Sequence, residues 1–133
     1  MICLLITDPY SYERLLERAL DAAVREGEAL LAVFFFSPRE VKRTIDELGE
    51  KGWLGSGSLR ALEASMLAGY RALAGDVLAD IARRAEERGL QVHTQLFEGD
   101  RDGLMHLLEG QGCNKVLSDG PMTGLEGSGS KEG

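Results

Sequence analysis

Two uninterrupted apolar runs, Ile2–Ile6 (Ile-Cys-Leu-Leu-Ile) and Ala29–Phe36 (Ala-Leu-Leu-Ala-Val-Phe-Phe-Phe), leave the chain few architectures. A strand with one wet face alternates apolar and polar residues. Runs without alternation suit strands covered on both faces, as in a parallel sheet sandwiched between helices. Between them, Ser11–Glu26 places Leu16, Leu20, Ala23 and Val24 at helical spacing and stops at Gly27. Strand, helix and strand form a βαβ unit, for which a right-handed crossover is expected.

The rest of the chain extends this α/β reading. Ser37-Pro38-Arg39-Glu40 has the form of a capping box with proline at the first helical position, opening a short helix through Val41, Ile45 and Leu48 to Gly49. The composition of Glu50–Ser58 predicts a mobile loop that carries Trp53, a residue able either to cover a ligand or to pack on the next helix. From Leu59, the residues Leu62, Met66, Tyr70, Leu73, Val77 and Ile81 predict one long amphipathic helix ending at Gly89. Gly69 and Gly75 inside it each cost about 1 kcal/mol relative to alanine, so close packing against a neighbour is expected to compensate. Leu90–Phe97 alternates, as an edge strand does. Asp100 is a candidate N-cap for a helix through Leu104 and Leu108, and Lys115–Ser118 is a short fourth strand. Residues 1–118 thus read as one domain. Residues 119–133, rich in glycine and serine, read as a loop or tail.

Composition narrows the partners. Fifteen basic and 22 acidic residues give a net charge of −7, which disfavours nucleic acid and anionic membrane surfaces. No stretch approaches the ~20 apolar residues of a membrane span, and the N-terminal run is too short for a signal peptide. Cys3 and Cys113 have no metal-like spacing, so the expectation is a reduced, cytoplasmic protein with Cys3 as a small buried apolar residue.

Ligands of open parallel sheets settle at the carboxyl ends of the strands, where strand order reverses. The loops gathered there are Thr7-Asp8-Pro9-Tyr10, Phe36-Ser37 and Ser118-Asp119-Gly120. Asp8 could accept hydrogen bonds from a ribose or amine, or could serve only as a turn residue before Pro9. The stretch Gly120–Ser130, with Gly124, Gly127 and Ser128, could present backbone amides to an anion, although it holds no phosphate-loop motif; a flexible tail is the alternative. His93 and His106 stand on different elements, and no nucleophile motif accompanies either cysteine.

In order and spacing, residues 1–124 resemble the universal stress protein family. The resemblance rests on the opening strand with Thr7-Asp8, the helix Leu15–Ala23, the strand ending Phe36-Ser37-Pro38, and Gly89–Gly99-Asp100 leading into a helix. It implies a Rossmann-like open parallel sheet of the adenine nucleotide alpha hydrolase type, ordered 3-2-1-4, with the family's fifth strand missing. It also implies a stress-response domain that binds adenine nucleotide, ATP with Mg, through Thr7, Asp8, Pro9, Phe36, Ser37, Ser118, Gly120, Gly124, Gly127 and Ser128. The family's glycine pattern after strand four departs here, with Asp119 where a glycine is expected, and that carboxylate would repel a phosphate. A homodimer is implied as well. The alternative function is a dimerising interaction module without nucleotide. Catalysis would amount at most to slow ATP hydrolysis, for which Asp8 is the one candidate base.

Overall fold

The computed structural model describes residues 1–52 and 55–119. Its elements are β1 (Ile2–Ile6), α1 (Glu13–Glu26), β2 (Leu30–Phe36), α2 (Pro38–Glu50), α3 (Ser56–Glu87), β3 (Val92–Glu98), α4 (Arg101–Glu109) and β4 (Lys115–Ser118). The strands form one parallel sheet in the order β3-β2-β1-β4, with Ile2 opposite both Leu30 and Lys115. The first two crossovers step in one direction and place α1 and α3 on the same face; the crossover through α4 steps back and covers the other.

Each continuous apolar run therefore feeds two cores. Ile2, Leu4, Ile6 and Leu30, Ala32, Phe34 pack under α1 and α3, while Cys3, Leu5 and Leu31, Val33 pack with Leu104 and Leu108 of α4. Among the described residues β3 pairs only with β2; it exposes His93 and Gln95, as its alternation predicts for an edge, and Thr94 from the apolar face as well. Local signals set the helix ends. Gly27 takes the left-handed conformation at φ 66° and returns its amide to the carbonyls of Ala23 and Val24, ending α1. The Ser37 Oγ accepts the Glu40 amide at 3.3 Å to cap α2. The Glu40 carboxylate turns to Arg43 rather than back to Ser37, so one half of the predicted capping box forms.

Three expectations need correction. First, the segment assigned to a loop from Glu50 to Ser58 is shorter: α2 runs through Glu50 and α3 starts at Ser56. The approach of the two helices explains this, because Leu59 lies so close to Gly49 that a Cβ there would meet its Cδ1 at 2.7 Å. Second, Gly69 and Gly75 are exposed with no atom within 4 Å of a Cβ built on either, so no close packing compensates their flexibility. Gly69→Ala and Gly75→Ala are expected to stabilise the fold by about 0.4–1 kcal/mol each, read as a higher urea midpoint at unchanged slope. A lower midpoint for both would contradict this.

Third, Cys3 and Cys113 are not free thiols but form a disulfide, with Cα atoms 5.8 Å apart. The pairing of β1 with β4 brings them together, since Cys113 lies just before β4 and Cys3 sits beside Val116. The cysteines therefore give no support to a reducing compartment.

On the solvent side of α1 and α3, a polar clamp joins the helices. The Tyr12 hydroxyl donates to Asp80 at 2.8 Å, Arg84 reaches Glu13 at 2.7 Å, and Arg88 holds Glu17 and Asp21 at 2.5 and 2.8 Å. Burial and the hydrogen bond to Asp80 push the Tyr12 phenol up to about 12. For Asp80 burial pulls upward, but the Tyr12 hydroxyl and the guanidiniums of Arg83 and Arg84 outweigh it and hold the carboxyl below its usual range. At the end of β3, the bidentate Arg71 guanidinium at 2.7 and 2.8 Å likewise depresses Glu98. Depressed carboxyls stabilise the fold above their unfolded pKa and lose that contribution as pH falls through the folded value. The raised phenol contributes below pH ~10, its unfolded pKa, and loses its contribution as pH climbs towards 12. Stability should fall on both sides of neutrality, and Tyr12→Phe should flatten the alkaline limb; an unchanged alkaline limb in that variant would exclude the phenol as its cause.

Candidate functional site

Strand order reverses at β1, so the expected binding crevice lies between the carboxyl ends of β1 and β4. A side chain bridges the two strand ends. Asp119, one residue beyond β4, extends the ladder by donating its amide to the Leu5 carbonyl at 3.3 Å. Its Oδ2 then accepts the backbone amides of Thr7 and Asp8 at 2.8 and 2.9 Å, and its Oδ1 accepts the Thr7 hydroxyl at 3.0 Å. Two amides in succession at the end of a strand are the donors an anion would use; here an internal carboxylate takes both.

A cleft of about 340 Å³ lies at the carboxyl ends of β1 and β2, beneath α2 and α3. Phe35, Phe36, Val41, Met66 and Tyr70 supply its apolar wall, and Thr7, Ser37, Glu40 and Thr44 its polar groups. Phe36 stacks on Tyr70 with ring centroids 5.1 Å apart and planes inclined by 19°. Each residue arrives by a local rule: Phe36 and Ser37 end β2, Val41 and Thr44 lie one helical turn apart along α2, and so do Met66 and Tyr70 on α3. The Thr44 hydroxyl donates to the Glu40 carbonyl at 3.2 Å; nearer the strand ends, the Thr7 hydroxyl donates to Asp119 and keeps its acceptor capacity, while the Ser37 Oγ accepts the Glu40 amide and keeps its proton.

Of the residues expected at the site from sequence, Thr7, Phe36 and Ser37 line this cleft. Asp8 is exposed and its Oδ1 accepts the Tyr10 amide at 2.9 Å, forming a turn around Pro9. Ser118 pairs opposite Leu5 in the sheet. Gly120, Gly124, Gly127 and Ser128 lie outside the described residues, as does Trp53. Val41, Met66 and Tyr70 were legible only as helix-face residues, because their periodicity is also that of core packing, and Thr44 carried no signal.

Mg-bound ATP, the group implied by the family resemblance, fits these residues poorly. The aromatic cleft suits a base, but the described residues lining it include no lysine or arginine and one carboxylate, and the β1 amides are taken by Asp119. Among the described residues, no group of three or more His, Cys, Asp or Glu side chains is arranged to hold a metal ion, and no helix is long and apolar enough to cross a membrane.

Among solved structures, the chain is similar to a protein of the universal stress protein family from Burkholderia pseudomallei, with 16% identity and a TM-score of 0.68 over 94% of this chain and 85% of that one. It is also similar to a hypothetical protein whose biochemical function was assigned from its structure, with 16% identity and a TM-score of 0.57 over 86% and 72%. A universal stress protein in complex with cAMP matches at 16% identity and a TM-score of 0.52 over 86% and 73%. No protein-family model and no curated protein matches the chain. The fold is the α/β fold of the universal stress proteins, the described residues forming four parallel strands in the order 3-2-1-4 between helices.

Proposed function

We propose that the chain is a stress-response domain of the universal stress protein type that acts by binding, and that it takes the adenine base of a nucleotide or nucleoside in the β1–β2 cleft. The observation that carries this reading is the cleft itself: an apolar wall that includes the Phe36–Tyr70 stack, with the Thr7 and Ser37 oxygens at the strand ends to orient a heterocycle. A neighbour of the same fold holding cAMP supports it. In isothermal titration, adenosine should release or absorb heat with a dissociation constant in the micromolar range, and Tyr70→Ala should weaken it by about tenfold, the ~1.4 kcal/mol of one lost ring contact. No heat with adenosine, cAMP or Mg-ATP at high micromolar concentrations would refute the reading.

A second reading, a homodimerising interaction module, is favoured by the first half of α3, where Leu59, Leu62, Met66 and Leu67 are only partly buried. The buried residues of this 32-residue helix start only at Ala74. Sedimentation would separate the two: a monomer at all accessible concentrations removes the second.

A further inference from the structure

From the arrangement at the end of β1, we infer that the cleft selects an uncharged nucleoside over its polyphosphate, with Asp119 as the residue that sets this preference. The inference rests on the binding function proposed above and concerns the ligand's charge. Thr7 is the link between latch and cleft. It lines the cleft while its amide and hydroxyl both donate to the Asp119 carboxylate.

A phosphate bound there would need donors or cations. The Thr7 and Asp8 amides are already satisfied by one carboxylate, and displacing it would strand a charge beside the incoming anion. Among the described residues that line the cleft, no cation offsets this charge. Glu40 lines the cleft and is paired with Arg43, which commits that guanidinium to a protein carboxylate. The exposed carboxylate of Asp8 follows Thr7 directly in the chain. Each added phosphate charge therefore raises repulsion from carboxylates, while the base and ribose keep the same apolar wall and hydroxyl partners.

The test is a titration series of adenosine, cAMP and Mg-ATP against the intact, oxidised chain at low salt, repeated with Asp119→Asn. The variant keeps a side-chain acceptor for the amides but removes the charge. Affinity should fall along the series as negative charge rises, with Mg-ATP at least about tenfold weaker than adenosine. Asp119→Asn should narrow that gap, improving Mg-ATP more than adenosine. Mg-ATP binding as tightly as adenosine or more tightly, or an equal gap in the folded variant, would overturn the inference and leave the nucleoside reading standing. Absence of binding by all three ligands would overturn both. If Asp119→Asn does not fold, the wild-type series still decides the charge preference.

Discussion

Adding a reductant is expected to lower the denaturant midpoint of the chain more than any surface substitution would. The Cys3–Cys113 bridge closes a loop with a sequence separation of 110. In the chain-entropy view, a cross-link over ~100 residues removes about 4.7 kcal/mol of freedom from the unfolded state. That is a large share of the ~5–15 kcal/mol that holds a typical domain together. The bridge also acts at a short strand, since β4 is four residues long and, among the described residues, pairs only with β1. Urea melts with and without dithiothreitol should therefore differ by several kcal/mol, and Cys113→Ser should melt at the reduced position under both conditions. Two titratable thiols in the native, unreduced chain, or coincident melts, would disprove the pairing.

The second large effect comes from two adjacent phenylalanines that lie on opposite faces of β2. Phe34 is fully buried under α1 and α3, between Ile6 and Leu96 of the flanking strands. Phe35 is only partly buried and stacks on Phe97 with centroids 6.0 Å apart. Phe34→Ala should cost about 3–5 kcal/mol, because the interior cannot fully collapse around the lost ring. Phe35→Ala should cost about 1–2 kcal/mol, the value of a half-buried ring and one aromatic contact. Chemical denaturation of the two variants measures the difference. Equal losses would show that the strand's facing is not as described.

Much of the fold could be read from residues 1–36 because unalternating apolar runs have few physical solutions. The edge position of β3 was likewise written in its alternation. Contacts between distant parts of the chain left no local trace. Neither the cysteine pair nor the Asp119 latch, whose partners lie 112 and 111 residues away, has a periodicity or motif to betray it. Asp119 did register as an unfavourable charge where a glycine is expected; only the sheet register shows which donors it meets. At Ser56–Ser58 tertiary packing overrode composition, since Gly and Ser favour a loop until Leu59 seats on Gly49. The cleft was half legible. Phe36 and Ser37 follow from the strand end, whereas Met66 and Tyr70 depend on how far α3 extends before it meets the sheet.

The same covalent bridge changes what a cut in the chain means. Among the described residues, positions 3 and 113 enclose all four helices, β2, β3 and all of β1 but Ile2. A protease that severs one peptide bond anywhere between them leaves two fragments tied into one molecule. Such a nicked chain would keep its mass on a non-reducing gel, apart from the water added at the cut, and would separate into two bands only after the sulfurs are reduced.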